Sequence, residues 1–414
     1  MLFLETQTVG GRGGAKHSHL NTKTNYLTRC RLVPSPQSLF SSFQHLILFQ
    51  GNDHSPAVMP TFTVFKGSKE GVQKTTTTKP DQLSGDQVLL KVTASGLCGT
   101  DLHYVTLPAS GASAIPQRAW LTSPLLQKNA DMVLGHEGVG VVAALGPDCK
   151  LLSKGDRVGW GYEHDSCGHC KQCLTGTEQY CDGRQMYAAA DLDQGSFASH
   201  AVWREAFLFK IPDELSDEEA APFQCAGATV WTALMAYNTR PTETVGIMGV
   251  GGLGHIAIQF ARAMGARVVV LSGSNSKKDE ATRLGAHEFI ATKGQKELKV
   301  ARKLDRLLVT TSAQPDWNLL MPIMAAGSTI HPLSVASGDF SIPYMAMLAS
   351  GITVQGSIVA ARQMHKDSKW IPPAVEPKPR HALVRLLTKY VLYSQQCSSL
   401  RRCIASRQSS RLTP

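Results

Sequence analysis

The chain has 414 residues, 43% of them hydrophobic and 18% charged, which is enough apolar sequence for two or three domains with cores of their own. Its formal charge of +10 lies in the two ends: residues 361–414 hold 11 Lys/Arg against 2 Asp/Glu, residues 1–58 hold 5 against 2, and the body between them is −2. A nucleic-acid binder carries its positive charge on the folded domain, so that class is set aside. The longest uncharged stretches, Trp317–Gly338 and Phe340–Ala361, are too broken by Pro, Gly and Ser or Thr to span a membrane.

Residues 1–58 have no hydrophobic period and no acid between Glu5 and Asp53. They read as an unstructured extension before Met59 or as a mitochondrial presequence, although Gly10–Gly14, Pro34 and Pro36 oppose an amphipathic helix. From Thr61 short β-type runs follow: Thr61–Phe65, Gln87–Ala94, Gly138–Ala143 and Arg157–Trp160, separated by turn residues. Leu107–Lys128, with three prolines and no period, interrupts them as an inserted loop.

After Pro212 the pattern alternates. Helices are predicted over Glu214–Ala221, Thr229–Tyr237, Ile256–Met264 and Lys277–Leu284, and strands over Thr244–Met248, Arg267–Leu271, Leu304–Thr310 and Ser328–His331. Strands separated by helices indicate a parallel sheet with crossovers. The order fades beyond residue 361, where only Ala382–Tyr393 offers a further helix, with Leu383, Leu386, Leu387 and Tyr390 on one face.

Cys167, Cys170, Cys173 and Cys181 form C-x2-C-x2-C-x7-C. Such short links let four sulfurs converge on a tetrahedral Zn²⁺ with no position left for water, so the site is expected to be structural. The alternative is four free thiols on one loop. Closely spaced cysteines in a chain this large suggest metal thiolates in a reducing compartment, hence the cytoplasm. Three further residues stand far apart: Cys98 in Cys-Gly-Thr-Asp-Leu-His103, His136 in Gly-His-Glu-Gly, and Cys225 in Phe-Gln-Cys-Ala-Gly227. Two cysteines and one histidine are one set that holds a catalytic zinc with an open place; taken singly, each is more often a core residue.

Gly249-Val-Gly251-Gly252-Leu253-Gly254 lies between a predicted strand and a predicted helix. There the glycines allow a tight turn and close approach of a pyrophosphate to the helix N-terminus. About 20 residues on, a site for NAD offers an acid to the ribose 2′-hydroxyl. This chain instead reads Leu271-Ser272-Gly-Ser274-Asn-Ser-Lys277-Lys278, which suits a 2′-phosphate. The alternative is a solvated basic helix start.

In their order, Cys98-Gly-Thr-Asp-Leu-His, Gly-His136-Glu-Gly-Val-Gly, Gly155-Asp-Arg-Val-Gly, the cysteine knot and the glycine motif resemble the zinc-dependent medium-chain alcohol dehydrogenases, most of all the cinnamyl-alcohol-dehydrogenase-like branch. The resemblance covers roughly Met59–His365 apart from 107–128. It implies an α/β fold: a GroES-like β-rich catalytic domain over 59–225 carrying the structural zinc lobe, and a Rossmann doubly wound parallel-sheet domain over 226–358. Residues 359–414 form an atypical segment in place of the family's return to the catalytic domain.

The resemblance further implies two Zn²⁺ per chain and NADP(H). A catalytic zinc would be held by Cys98, His136 and Cys225, with Glu137 as an alternative ligand and Thr100 and His103 as a proton relay. The implied reaction interconverts a primary alcohol and its aldehyde in a cleft between the domains. The implied partners are the small substrate and a second copy of the chain, with neither nucleic acid nor membrane. A catalytically impaired homologue that keeps nucleotide and structural zinc is the second reading.

Overall fold

The computed structural model describes residues 61–68, 71–79, 82–106, 131–336 and 340–367, and of His103, Val105 and Thr106 it gives the backbone alone. The extension 1–58, the loop 107–128 and the helix expected over Ala382–Tyr393 lie outside the described residues.

Two sheets organise the chain. The first is a five-stranded antiparallel sheet in the order His200–Arg204, Gln87–Ser95, Gly138–Leu145, Arg157–Trp160, Phe209–Lys210. Alternation places Val88, Leu90, Val142, Val158, Trp160 and Trp203 in one buried cluster on it. A hairpin of Thr61–Ser68 with Gly71–Thr78 stands beside this sheet. Its second strand is a run of mostly exposed threonines with no apolar alternation, so pairing with its partner rather than burial makes it a strand.

The second sheet has six parallel strands in the order Glu288–Ala291, Arg267–Ser272, Thr244–Met248, Leu304–Val309, Met324–Pro332, Thr353–Val354. This is the doubly wound order that reverses direction between the first and fourth strands in the chain, where such sheets receive ligands. Helices Ala226–Met235 and Gly252–Ala263 bury Val230, Leu234, Ile256 and Phe260 on one face. Leu298, Leu304, Trp317 and Ile330 are buried on the other. A sheet covered on both sides reads as near-continuous Val, Ile and Leu, which is why Val268–Leu271 is wholly buried.

Observed boundaries extend several predicted ones. The helix after the glycine motif starts at Gly252 rather than Ile256, because the last glycines wind into its first turn. The strand expected over Ser328–His331 runs Met324–Pro332, drawn out by its pairing with Leu304–Val309.

Residues Val359–Asp367 come back onto the β-rich domain. The Arg362 backbone N–H and side-chain Nε both donate to Glu178 Oε1 at 2.8 Å, and the guanidinium lies 5.0 Å from the centre of the Phe207 ring. His365 stacks on Phe209 with ring centres 4.6 Å apart.

Candidate active site

Antiparallel pairing of Ser95 with Gly138 lays the chain leaving one strand beside the chain entering its neighbour. The Gly96 N–H donates to the Glu137 carbonyl at 2.9 Å, so Cys98, three residues past the first strand, meets His136, two residues before the second. Gly135 makes the entry at φ +94°, and a Cβ there would stand 2.6 Å from the Phe197 backbone nitrogen. Cys225 arrives from the other side, at the N-terminus of helix Ala226–Met235. The preceding Gln224 packs over Gly159 in the strand paired with Gly138–Leu145. One donor atom each from Cys98, His136, Glu137 and Cys225 lies within 4.8 Å of the others.

Asp101 sets the histidine. Its Oδ1 is 2.9 Å from His136 Nδ1 and also accepts the Tyr187 hydroxyl at 3.0 Å and the Gly135 N–H at 3.2 Å, while Oδ2 accepts the Cys98 N–H at 3.0 Å. A carboxylate only accepts, so Nδ1 carries the hydrogen and Nε2 is the atom left for a ligand. That Nε2 is buried and has no hydrogen-bond partner among the described residues.

The electrostatics favour a cation here. Burial works against a charged His136, yet the Asp101 carboxylate and Cys98 outweigh it and hold its pKa well above the ordinary value. The hydrogen bond between Cys98 and Cys225 pulls the Cys98 thiol well down and pushes Cys225 up, so the pair shares a proton with the negative charge on Cys98. Burial, then the charge on Cys98, raises Glu137.

The four remaining metal-type cysteines converge on a lobe built from helix Lys171–Leu174 and the 3-10 turn Glu178–Tyr180. Their sulfurs lie within 4.8 Å of one another, with Cys170 and Cys173 at 3.6 Å and Cys167 and Cys173 at 3.9 Å. Bonds of about 2.3 Å to a tetrahedral zinc set sulfurs about 3.8 Å apart, so the donor set has the size that ion requires.

The glycine motif follows strand Thr244–Met248 at the reversal of strand order. Gly249, at φ +99°, would bring a Cβ to 2.6 Å from Thr311 Cγ2, and a Cβ on Gly254 would collide with the Gly249 carbonyl. These two are demanded by the fold. Gly251 is not: its φ of −93° suits any residue, and a Cβ there meets nothing within 4 Å. Its missing side chain leaves open space at the helix N-terminus, as close approach of a pyrophosphate requires.

Residues 84–213 match the model of the alcohol dehydrogenase GroES-like domain, and residues 252–371 match that of the zinc-binding dehydrogenases. A probable formaldehyde dehydrogenase of Bacillus subtilis is 35% identical over 295 residues, 70% of this chain and 80% of the relative. An NADP-dependent alcohol dehydrogenase of Mycolicibacterium smegmatis is 33% identical over 298 residues, covering 70% and 80%. Among solved structures, a cinnamyl alcohol dehydrogenase from Sorghum bicolor superposes with a TM-score of 0.65 at 29% identity, over 75% of this chain and 86% of that one. The chain belongs to the zinc-type medium-chain alcohol dehydrogenases. Its two sheets are the family's GroES-like and Rossmann-like units, and its likeness is to the cinnamyl-alcohol-dehydrogenase branch.

Within this alcohol dehydrogenase fold the other expected residues fall as follows. Thr100 and His103 lie on helix Gly99–Thr106, which begins directly after Cys98; Thr100 is half-buried. Gly252, Leu253 and Gly254 form the first turn of helix Gly252–Ala263. Ser272 ends strand Arg267–Ser272, and its carbonyl accepts the Thr292 N–H at 2.7 Å. Ser274 lies 2.8 Å from Ser276 through their hydroxyls. Lys277 is half-exposed and paired with Glu280 at 2.6 Å, so its charge is already shared.

Asp101, Tyr187, Tyr104 and Tyr162 surround the histidine without having been singled out by their motifs. Asp101 stands inside Cys-Gly-Thr-Asp-Leu-His and could have been read as the partner that a ligating histidine needs. The tyrosines carry no local signal.

Proposed function

We propose that this alcohol dehydrogenase interconverts a primary alcohol and its aldehyde with zinc and NADP(H). One observation carries the reading: a buried imidazole nitrogen without a hydrogen-bond partner among the described residues, oriented by a carboxylate, beside two cysteine sulfurs and a carboxyl group. A bound zinc would act as a Lewis acid, lowering the proton affinity of the alcohol oxygen. Cys98, His136 and Cys225 would hold it, with Glu137 as an alternative ligand. Asp101 fixes the His136 tautomer. Thr100 would accept the alcohol proton at its hydroxyl while passing on its own, with His103 as the proposed next group of the relay.

Gly249, Gly251, Gly252, Leu253 and Gly254 would cradle the pyrophosphate of a nicotinamide cofactor that accepts or returns the hydride. Ser272, Ser274 and Lys277 would meet its 2′-phosphate. The absence of an acid at the end of strand Arg267–Ser272 supports NADP(H), as does the relative named for that cofactor. Cys167, Cys170, Cys173 and Cys181 would hold a second zinc that ties down a lobe with little core, where Leu174 is 74% exposed.

A second copy of the chain is the proposed protein partner. Strand Thr353–Val354 is exposed at the edge of the parallel sheet, next to helix Tyr344–Ser350, whose Tyr344, Met345 and Leu348 face solvent. An edge that no strand among the described residues pairs with, beside apolar side chains, suits an isologous sheet-to-sheet contact. Among the described residues no helix is long and apolar enough to cross a membrane.

NADPH oxidation measured across aromatic and aliphatic aldehydes tests the reading. Saturable, aldehyde-dependent oxidation that exceeds the rate with NADH supports it. A chain that binds NADPH but oxidises none of it with any aldehyde would be an impaired homologue instead.

A further inference from the structure

Tyr104 and Tyr162 come from different elements, the helix after Cys98 and the loop after strand Arg157–Trp160, yet their hydroxyls meet at 2.8 Å. Each phenol has one hydrogen to donate, and a bond between the two uses only one of them. The second O–H has no acceptor among the described residues. The rings are held by an apolar cluster with Met132, Leu134 and Tyr187, so the pair cannot swing freely to find one. Tyr162 stands edge-on to His136, with ring centres 5.3 Å apart.

A half-buried hydroxyl with an unused hydrogen, locked beside the reacting centre, is a specificity device. Leaving such a donor unmatched costs more than a merely absent contact, so a ligand that supplies an acceptor is favoured over an isostere that does not. We propose that the Tyr104–Tyr162 pair donates a hydrogen bond to a second oxygen of the substrate, selecting alcohols and aldehydes with a hydroxyl or alkoxy group over hydrocarbon ones. This rests on the alcohol–aldehyde reading of the site.

The test uses matched probes, benzaldehydes bearing methoxy or methyl at the 3 or 4 position, and the corresponding unreactive benzamides, with the zinc- and NADP(H)-loaded protein. For at least one ring position the methoxy member is expected to show a lower KM and a tighter benzamide Kd, each on the order of tenfold. The double variant Tyr104→Phe/Tyr162→Phe keeps the rings and removes both donors, so it should bring both ratios to about one. Each single variant retains one hydroxyl and should lose less of the preference. Equal binding of methoxy and methyl members by the native protein at both positions, or a preference that survives in the double variant, overturns the proposal. Benzamide binding is read without turnover, so a chain that bound methoxybenzamide selectively but reduced no aldehyde would contradict the proposed function and leave the tyrosine pair's donor role standing.

Discussion

The Asp101 carboxylate and the His136 ring form a buried pair, Oδ1 to Nδ1 at 2.9 Å, with both residues no more than 1% exposed. The pair links helix Gly99–Thr106 to the chain entering strand Gly138–Leu145 and leaves the buried Nε2 as the histidine atom free to ligate. Asp101→Asn would place an amide where Tyr187, Gly135 and Cys98 all donate, so it must offer an N–H to another donor. The expected result is a zinc affinity about 10–100-fold weaker at the catalytic-type site. Competition with a chromogenic chelator reads this, and the four-cysteine zinc should be retained.

On the proposed NADP(H) reading, cofactor choice turns on the end of strand Arg267–Ser272. Replacing Ser272 with Asp puts a carboxylate where a 2′-phosphate would come, so NADPH should bind at least tenfold more weakly and NADH more tightly. Fluorescence titration of the two reduced cofactors checks the crossover. Lys277→Ala should weaken NADPH only about two- to fivefold, since that lysine is half-exposed and shared with Glu280.

How much of this was legible in the sequence follows from where each signal resides. Arg157–Trp160 and Thr244–Met248 have the bounds expected of them, because both are short buried runs stopped by turn residues. The motifs brought the seven cysteine and histidine residues into view, but only strand pairing explains why Cys98 and His136 are neighbours. Glu178 and Arg362, 184 positions apart, meet through the return of the chain, which no local pattern announces. Nor could periodicity reveal the Tyr104–Tyr162 contact, since it depends on how a helix and a loop from different parts of the chain come together.

His331 supplies a pH dependence away from the site. It is wholly buried on strand Met324–Pro332, and burial, reinforced by the Arg306 charge, lowers its pKa to about 4 from 6.5. The unfolded chain therefore binds more protons than the folded one between these values. Its contribution to stability is complete above pH 6.5 and is lost as the pH falls to about 4, amounting to about 3 kcal/mol. Urea unfolding of the native protein and of His331→Leu across this window should give a flatter slope with pH for the variant.

Metal content measured together with turnover addresses the central claim, that Cys98, His136 and Cys225 hold a zinc ion at the reacting centre. Mass spectrometry of the purified native chain should find two zinc ions per chain. Cys225→Ser should retain one and lose aldehyde-dependent NADPH oxidation. Two ions in the variant with turnover intact, or a single ion in a fully active native protein, would contradict the account.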